Sequence, residues 1–160
     1  MKMEDVTIAR GTVIDEEQLT ETFQHFNHKE IMNNRANCFL SHNNTIIAKD
    51  GNRIIGKLLW YLKEDPNFGV VEFEELYVFE EYRRKGIGSE LLRTSITAVQ
   101  DHFKNLGIEP RRIFLFVDEN NKIARKLYEK FGFEYITKLG HLHSESENDL
   151  FYMLDLTKTN

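Results

Sequence analysis

A short cationic turn between a strand and a helix carries the residue types that most clearly indicate chemistry. The turn consists of Arg83, Arg84, Lys85, Gly86, Ile87, Gly88 and Ser89. Its two glycines lack a Cβ, so the backbone can bring several N–H groups close together beside three positive charges. The helix that follows directs the positive end of its dipole at the same place. The pattern predicts a site for an anion, and phosphate is the anion that suits it best.

The spacing of the glycines argues against two familiar phosphate sites. No Gly-Lys-Ser/Thr follows, as a nucleoside-triphosphate loop requires, and a dinucleotide fingerprint would need a third glycine and an acidic residue closing the next strand. A tight strand-to-helix turn with solvated cations is the alternative interpretation.

Composition restricts the class of protein. The chain has 160 residues, which suits one domain over residues 1–160, and its formal net charge of -5 argues against nucleic acid as a partner. Cys38 is the only cysteine, so neither a disulfide framework nor a multi-cysteine metal site is expected. No apolar run has the length of a membrane span or a signal sequence, so we expect a soluble, cytoplasmic protein.

The first half of the chain predicts two helices and an antiparallel meander that leads into the turn. Asp15 is expected to cap a helix that runs to about Asn27, with Leu19, Phe23 and Phe26 on one face. A second short helix is expected over Glu30–Asn37. The expected strands are Val6–Arg10, Thr45–Lys49, Arg53–Lys63 and Val70–Val78, with a hairpin at Asp50-Gly51-Asn52.

The second half alternates strands and helices, so at least one strand pair should be parallel. A helix after the turn ends at Gly107, and a second one-sided helix covers Ile123–Phe131. The strands are Arg112–Val117, Phe133–Leu139 and Leu150–Leu156, the last two joined by a loop over Ser144–Asp149. We therefore expect a mixed α/β fold, with a mostly antiparallel sheet and helices on both faces.

Two motifs together resemble the signatures of the GNAT superfamily of N-acetyltransferases. The turn is similar to the acyl-CoA pyrophosphate motif, in which Arg or Gln is followed by two residues, Gly, one residue, and Gly or Ala. The second motif is similar to an Asn-containing helix that ends in Leu-Tyr and is followed by Gly-Phe. The matching residues are Arg83, Gly86 and Gly88, then Asn121, Ala124, Leu127, Tyr128, Gly132 and Phe133. The resemblance covers Thr45 to Phe133 and fades in the first forty residues and after Leu139.

The resemblance implies acetyl-CoA as co-substrate and a strand pair that splays to admit its pantetheine arm. Backbone groups of Leu76, Tyr77 and Val78 would then pair with the arm and the acetyl carbonyl. Backbone N–H groups from about Arg84 to Ser89 would hold the pyrophosphate, and the side chains of Arg83, Arg84 and Lys85 would add positive charge.

Tyr128 is the implied general acid, because transfer to an amine leaves a thiolate that a phenol can protonate. The alternative is that Tyr128 only completes the apolar face of its helix. Asn121 would contact the cofactor arm, or it would simply cap the helix that begins beside it.

A carboxylate is the expected general base, because an amine must lose a proton before it attacks. Glu72, Glu74 and Glu75 lie on the strand before the turn, where an acid costs free energy unless it is solvated or paired. Glu74 and Glu75 should point to opposite faces of a regular strand. The segment Glu74–Val78 is similar to one in polyamine-acetylating members. A solvent-facing edge or a structural ion pair is the alternative for all three.

The predicted function is transfer of an acetyl group to a primary amine by direct attack in a ternary complex. A cationic acceptor is expected, either a polyamine, an aminoglycoside-like amine or a peptide or protein amine, in a pocket built from Ile14–Asn37 and Leu139–Leu150. A non-catalytic acyl-CoA-binding module and a nucleotide-binding protein are the alternatives, and a homodimer is possible. His141 and His143 are expected to be a surface pair without a metal, and His25 and His28 to be solvated.

Overall fold

The described residues form seven strands and four α-helices in a mixed α/β fold, as the alternation of elements predicted. The computed structural model describes residues 5–23, 29–41, 44–143 and 145–158. The strands are β1 (Val6–Arg10), β2 (Thr45–Asp50), β3 (Arg53–Leu62), β4 (Val70–Val78), β5 (Arg112–Asp118), β6 (Glu134–Gly140) and β7 (Asn148–Asp155). The helices are α1 (Glu16–Glu21), α2 (Lys29–Ser41), α3 (Ile87–Leu106) and α4 (Lys122–Lys130).

The chain divides into two compact units, of which the first contains Met1–Tyr61 and Glu75–Thr97. Its strands are neighbours in the order β1-β2-β3-β4. The predicted hairpin between β2 and β3 is confirmed, and Gly51 at its tip has the left-handed φ of 57° that the turn needs. Leu19 and Phe23 are fully buried in the core of this unit, which is the face on which the sequence placed them.

The helical boundaries before β2 differ from the prediction. The first helix ends at Glu21 rather than Asn27, and the second extends over Lys29–Ser41. Asp15 is the N-cap residue of α1, as predicted, but its side chain makes no capping hydrogen bond to the helix. Its carboxylate instead accepts a hydrogen bond from the backbone N–H of Thr12 (2.9 Å) and pairs with Lys49. Residues 24–28, which include His25, Phe26 and His28, lie outside the described residues.

The second unit contains Leu62–Glu74 and Ala98–Asn160. Its strands are neighbours in the order β4-β5-β7-β6. The predicted parallel pair is formed by β4 and β5, which align from Val70 opposite Arg112 to Glu72 opposite Phe114. Among the described residues the parallel register covers only these three pairs, although β5 continues to Asp118.

The ends of the second-unit elements follow their sequence signals closely. Gly107 and Gly132, which follow α3 and α4, have φ values of 69° and 86°, as helix-terminating glycines require. The last strand begins at Asn148, two residues before the predicted Leu150. None of the described helices is long and apolar enough to cross a membrane.

Candidate active site

The cationic turn presents a row of unused backbone donors. Arg84 and Gly86 both have left-handed backbones, with φ values of 60° and 87°. Within the described part of the chain, the N–H groups of the five consecutive residues from Arg84 to Gly88 donate no hydrogen bond. The backbone of α3 closes behind them, where the N–H groups of Ser89 and Glu90 donate to Gly86 O at 3.0 and 3.1 Å. Free N–H groups at the start of a 20-residue helix form an anion-binding site.

The cationic side chains of the turn are exposed, and two of them brace the loop. Arg83 Nε donates to Val78 O at 2.9 Å, and Lys85 Nζ donates to Glu81 O at 2.8 Å. Ile87 is different, because its side chain is buried and anchors the turn to the core. Its predicted role in binding is therefore confined to its backbone.

The end of β4 lies directly before the turn in the same unit. Leu76, Tyr77 and Val78 are half-buried, and Phe79 N donates to Ile55 O of β3 at 3.0 Å. A Cβ on Gly56 of β3 would be 2.9 Å from Tyr77 O, closer than such atoms can approach. Glycine at this position therefore allows the backbone of β4 to approach β3 where the sequence predicts the acetyl arm.

Glu72 and Glu75 on β4 form ion pairs. Glu72 is buried and pairs with Lys63. Glu75 pairs with Lys57, with 3.5 Å between Nζ and Oε2, and with Arg35, with 3.7 Å between Nη2 and Oε1. The structural ion pair that the sequence allowed as an alternative is therefore what Glu72 and Glu75 form.

Glu75 also departs from the regular strand geometry that the sequence analysis assumed. Its φ is 56°, which lies in the left-handed region and interrupts the alternation of faces along β4. The argument that Glu74 and Glu75 must point to opposite faces does not apply to this irregular strand.

Lys57, which pairs with the candidate site residue Glu75, was missed by the sequence analysis. Its side chain is 0% exposed, and Nζ lies 3.0 Å from the centre of the Phe23 ring. Burial lowers the pKa of Lys57 from its ordinary 10.5 to about 7, and the charge of Glu75 opposes that shift. The available signal was one cation within the apolar run of β3, between Gly56 and Leu58.

The lowered pKa of Lys57 predicts a stability that rises with pH. Between about pH 7 and 10.5 the unfolded chain holds a proton on Lys57 that the folded chain lacks, so raising the pH favours the folded state. Relative to Lys57→Met, the wild-type free energy of unfolding should rise by up to about 1.4 kcal/mol per pH unit in this window. Below pH 7 the difference should be constant.

Urea unfolding at several pH values measures this difference. Lys104→Met, which removes an exposed lysine of α3, is the matched control and should keep the wild-type slope. Parallel curves for wild type and Lys57→Met would contradict the buried amine.

Asn121 and Tyr128 belong to the second unit, on α4. Asn121 is the N-cap of the helix, and its Oδ1 accepts a hydrogen bond from Ala124 N at 3.1 Å. The capping role is thus present, and the two donors of its amide nitrogen remain suited to a ligand. Tyr128 is buried and packs on Phe133, with 5.8 Å between ring centres.

The environment of Tyr128 keeps its hydroxyl protonated. Burial raises the pKa of this phenol above its ordinary value of 10. At neutral pH the group therefore has a proton to donate, as a general acid must. The same burial fits the alternative role in the apolar face of α4.

His143, in the loop that follows β6, interacts with Asp149 of β7. His143 Nδ1 lies 2.9 Å from Asp149 Oδ1, and the His143 backbone N–H donates to Asp149 Oδ2 at 3.1 Å. His141 has a left-handed φ of 55°. The described residues contain no group of three or more side chains that could hold a metal ion.

An open cavity of about 710 Å³ lies beside α1 and α2 in the first unit. Its lining consists of Val13, Ile14, Glu16, Glu17, Thr20, Glu21, Met32 and Asn33. Three carboxylates and an exposed apolar pair therefore border one cavity, within the segment where the sequence analysis placed the acceptor pocket.

Sequence comparisons find similar proteins among the N-acetyltransferases. The chain is 33% identical over 72 residues to the spermine/spermidine N(1)-acetyltransferase of Bacillus subtilis strain 168, which is 45% of this chain and 44% of that protein. It is 34% identical over 71 residues to an N-alpha-acetyltransferase of Sulfurisphaera tokodaii, covering 44% and 40% of the two chains. The match thus spans less than half the length of these curated relatives.

The fold is shared more completely than the sequence. The structure of yncA from Salmonella typhimurium, solved with its cofactor acetyl-CoA, superposes with a TM-score of 0.78 at 16% identity. The superposition covers 97% of this chain and 96% of that one. A model of the acetyltransferase (GNAT) family matches residues 12–133, which include both the cationic turn and the Asn121–Phe133 motif. This chain therefore belongs to the acetyltransferase (GNAT) family.

Proposed function

We propose that this chain is an N-acetyltransferase that moves an acetyl group from acetyl-CoA to a primary amine. The row of five free N–H groups from Arg84 to Gly88 is the observation that carries the proposal. Such a row, at a helix N-terminus and beside exposed cations, suits a pyrophosphate. Membership of the family adds support from the whole of residues 12–133.

The backbone donors and the cationic side chains of the turn suit the pyrophosphate of coenzyme A. Backbone N–H groups from Arg84 to Gly88 donate to its oxygens, and the side chains of Arg83, Arg84 and Lys85 add positive charge around it. The Ser89 N–H, which the sequence analysis placed in the same row, donates to Gly86 O instead and is not part of the proposed site. When bound, acetyl-CoA supplies an acetyl group activated as a thioester.

The strand and the second motif supply the remaining proposed roles. Backbone groups of Leu76, Tyr77 and Val78 hold the arm and the acetyl carbonyl, and the Asn121 amide donates to the arm. Tyr128 Oη gives its proton to the departing sulfur. Either Glu74 or Glu75 is the proposed carboxylate that takes the proton from the amine, whereas Glu72 is buried against Lys63.

A cationic acceptor is proposed because carboxylates border the cavity of the first unit. Glu16, Glu17 and Glu21 line it together with the exposed side chains of Val13 and Ile14. A polyamine carries its amines on an apolar chain, so its charged groups suit the carboxylates and its methylene groups suit the apolar side chains. The similarity to a spermine/spermidine acetyltransferase supports the same class of acceptor.

The experiment that tests the proposal is thiol release from acetyl-CoA across a panel of amines. The panel contains spermidine, an aminoglycoside and a peptide with a free amino terminus. CoA binding without turnover on any amine would favour the non-catalytic acyl-CoA-binding module. Displacement of CoA by ATP or NAD would favour the nucleotide-binding alternative.

Neutralising the carboxylates that line the cavity should weaken binding of the acceptor and leave binding of the cofactor unchanged. The triple variant Glu16→Gln, Glu17→Gln, Glu21→Gln should raise KM for spermidine roughly tenfold, since each exposed charge contributes about 0.5 kcal/mol. KM for acetyl-CoA should stay unchanged. Asp101→Asn on α3 is the control for lost negative charge, and an unchanged spermidine KM in the triple variant would place the acceptor elsewhere.

A homodimer is proposed through β6, which is the last strand in the order β4-β5-β7-β6. This strand exposes Tyr135 and Ile136, and a free strand edge can pair with a second copy. Sedimentation velocity measures the state, and a monomer at all concentrations would rule the dimer out.

A further inference from the structure

Glu75 adopts a backbone conformation that its side chain does not favour. Its φ of 56° lies in the left-handed region, in the middle of a nine-residue strand. For a residue with a Cβ this conformation costs free energy, and it persists only where the surroundings hold it. The surroundings of Glu75 must therefore stabilise this backbone conformation.

Two cations hold the carboxylate of Glu75 from the same unit. Lys57 Nζ lies 3.5 Å from Oε2, and Arg35 Nη2 lies 3.7 Å from Oε1, so each carboxylate oxygen faces a basic side chain. The two cations are themselves packed on aromatic rings. Lys57 Nζ is 3.0 Å from the centre of Phe23, and the Arg35 guanidinium carbon is 5.6 Å from the centre of Phe39.

The burial of Lys57 indicates which of the two paired groups is fixed in position. A fully buried ammonium is costly unless an anion lies beside it. The fixed point is therefore the amine, which β3 and Phe23 enclose, and the carboxylate must come to it. In a strand with regular alternation, the direction of the Glu75 side chain would be set by the alternation of faces along the strand and not by the position of Lys57.

We propose that Lys57, assisted by Arg35, is a positioning residue that holds Glu75 in its left-handed conformation and so directs Leu76–Val78 toward the acetyl group. The role assigned to Leu76–Val78 rests on the proposed function. A consequence is that Glu75 acts through its backbone and Glu74 is the carboxylate that takes the amine proton.

Glycine at position 75 separates this role from general-base catalysis. Glycine adopts a left-handed φ without cost, so Glu75→Gly keeps the path of the backbone and needs no cation beside it. Lys57→Met keeps the Cβ of Glu75 but removes the partner of its Oε2 atom. The double variant Lys57→Met, Glu75→Gly has neither the strain nor the buried charge.

Steady-state kinetics with the best amine of the panel measures the effect. Lys57→Met should lower kcat roughly tenfold to hundredfold, by analogy with small misplacements of a reacting group, with a CoA Kd within about twofold of wild type because the cationic turn is untouched. Lys57→Arg should recover part of the loss, and the double variant should recover to within about tenfold of wild type.

Three results would overturn the proposal. A Lys57→Met enzyme with wild-type kcat shows that the backbone needs no such support. A double variant and a Glu75→Gly variant both as inactive as Glu75→Gln make Glu75 the base. If Lys57→Met loses total activity only in proportion to its folded fraction, so that kcat per folded molecule is unchanged, Lys57 has only a structural role. Lys104→Met controls for the removal of a lysine.

Amide hydrogen exchange separates failure of this proposal from failure of the proposed function. Exchange at Leu76–Val78 should be faster in Lys57→Met than in wild type and should slow again in the double variant, whether or not any amine is acetylated. Unchanged exchange would overturn the positioning role, and absence of turnover in the wild-type protein would overturn only the activity. If Lys57→Met does not fold, the double variant, which removes the buried amine together with its partner, decides between the two roles of Glu75.

Discussion

Tyr128→Phe should lower kcat at saturating acetyl-CoA and amine by about 100-fold or more, the size expected for loss of a general acid. The ring of the variant keeps its packing on Phe133, 5.8 Å away, so only the hydroxyl is lost. Burial raises the pKa of the phenol, so the wild-type group is protonated across the neutral range and available to the thiolate. Turnover by stopped-flow thiol detection measures the change.

Cofactor affinity separates the chemical role of Tyr128 from a structural one. The Kd for CoA should stay within about twofold of wild type, since a group that acts only in the transition state changes kcat and not ground-state binding. Tyr135→Phe removes a hydroxyl from an exposed tyrosine of β6 and is the matched control. An unchanged kcat in Tyr128→Phe would remove Tyr128 from the mechanism and leave it as a core residue of α4.

Features with local causes were predictable from the sequence. The Asp50-Gly51-Asn52 hairpin and the glycines that follow α3 and α4 appear where predicted, because each depends on the conformational freedom of a few adjacent residues. The strand Val70–Val78 has the predicted boundaries. The turn at Arg83–Ser89 belongs to the same group, since glycines and a helix start define it locally.

Features that depend on partners distant in sequence were not predictable. The sequence placed Asp15 as a helix cap, but its carboxylate pairs with Lys49, 34 residues away. The left-handed backbone of Glu75 is equally invisible, because Lys57 and Arg35 approach it from β3 and α2. A strand pattern shows that an acid is unusual there, but only the folded chain shows which cations compensate it.

Gly86→Val should weaken CoA binding by about 100-fold, equivalent to the loss of two hydrogen bonds to a charged group at about 1.5 kcal/mol each. The φ of 87° at Gly86 is one that a β-branched residue does not adopt. The turn must therefore open, and the N–H groups on either side of Gly86 no longer converge. Isothermal titration with CoA measures the change, and Gly86→Ala should give an intermediate loss.

The strain of a side chain at positive φ must be separated from the loss of the binding site, and Gly107→Val does so. Gly107 has a φ of 69°, and a Cβ there would have no atom within 4 Å, so the variant carries comparable strain away from the turn. It should lose stability and keep the CoA Kd of the wild type. Acetyl-pantetheine, which lacks the pyrophosphate, gives the second comparison: Gly86→Val should process it with a kcat/KM near that of wild type. Intact CoA binding in Gly86→Val, or equal losses with both thioesters, would show that the turn does not hold the pyrophosphate.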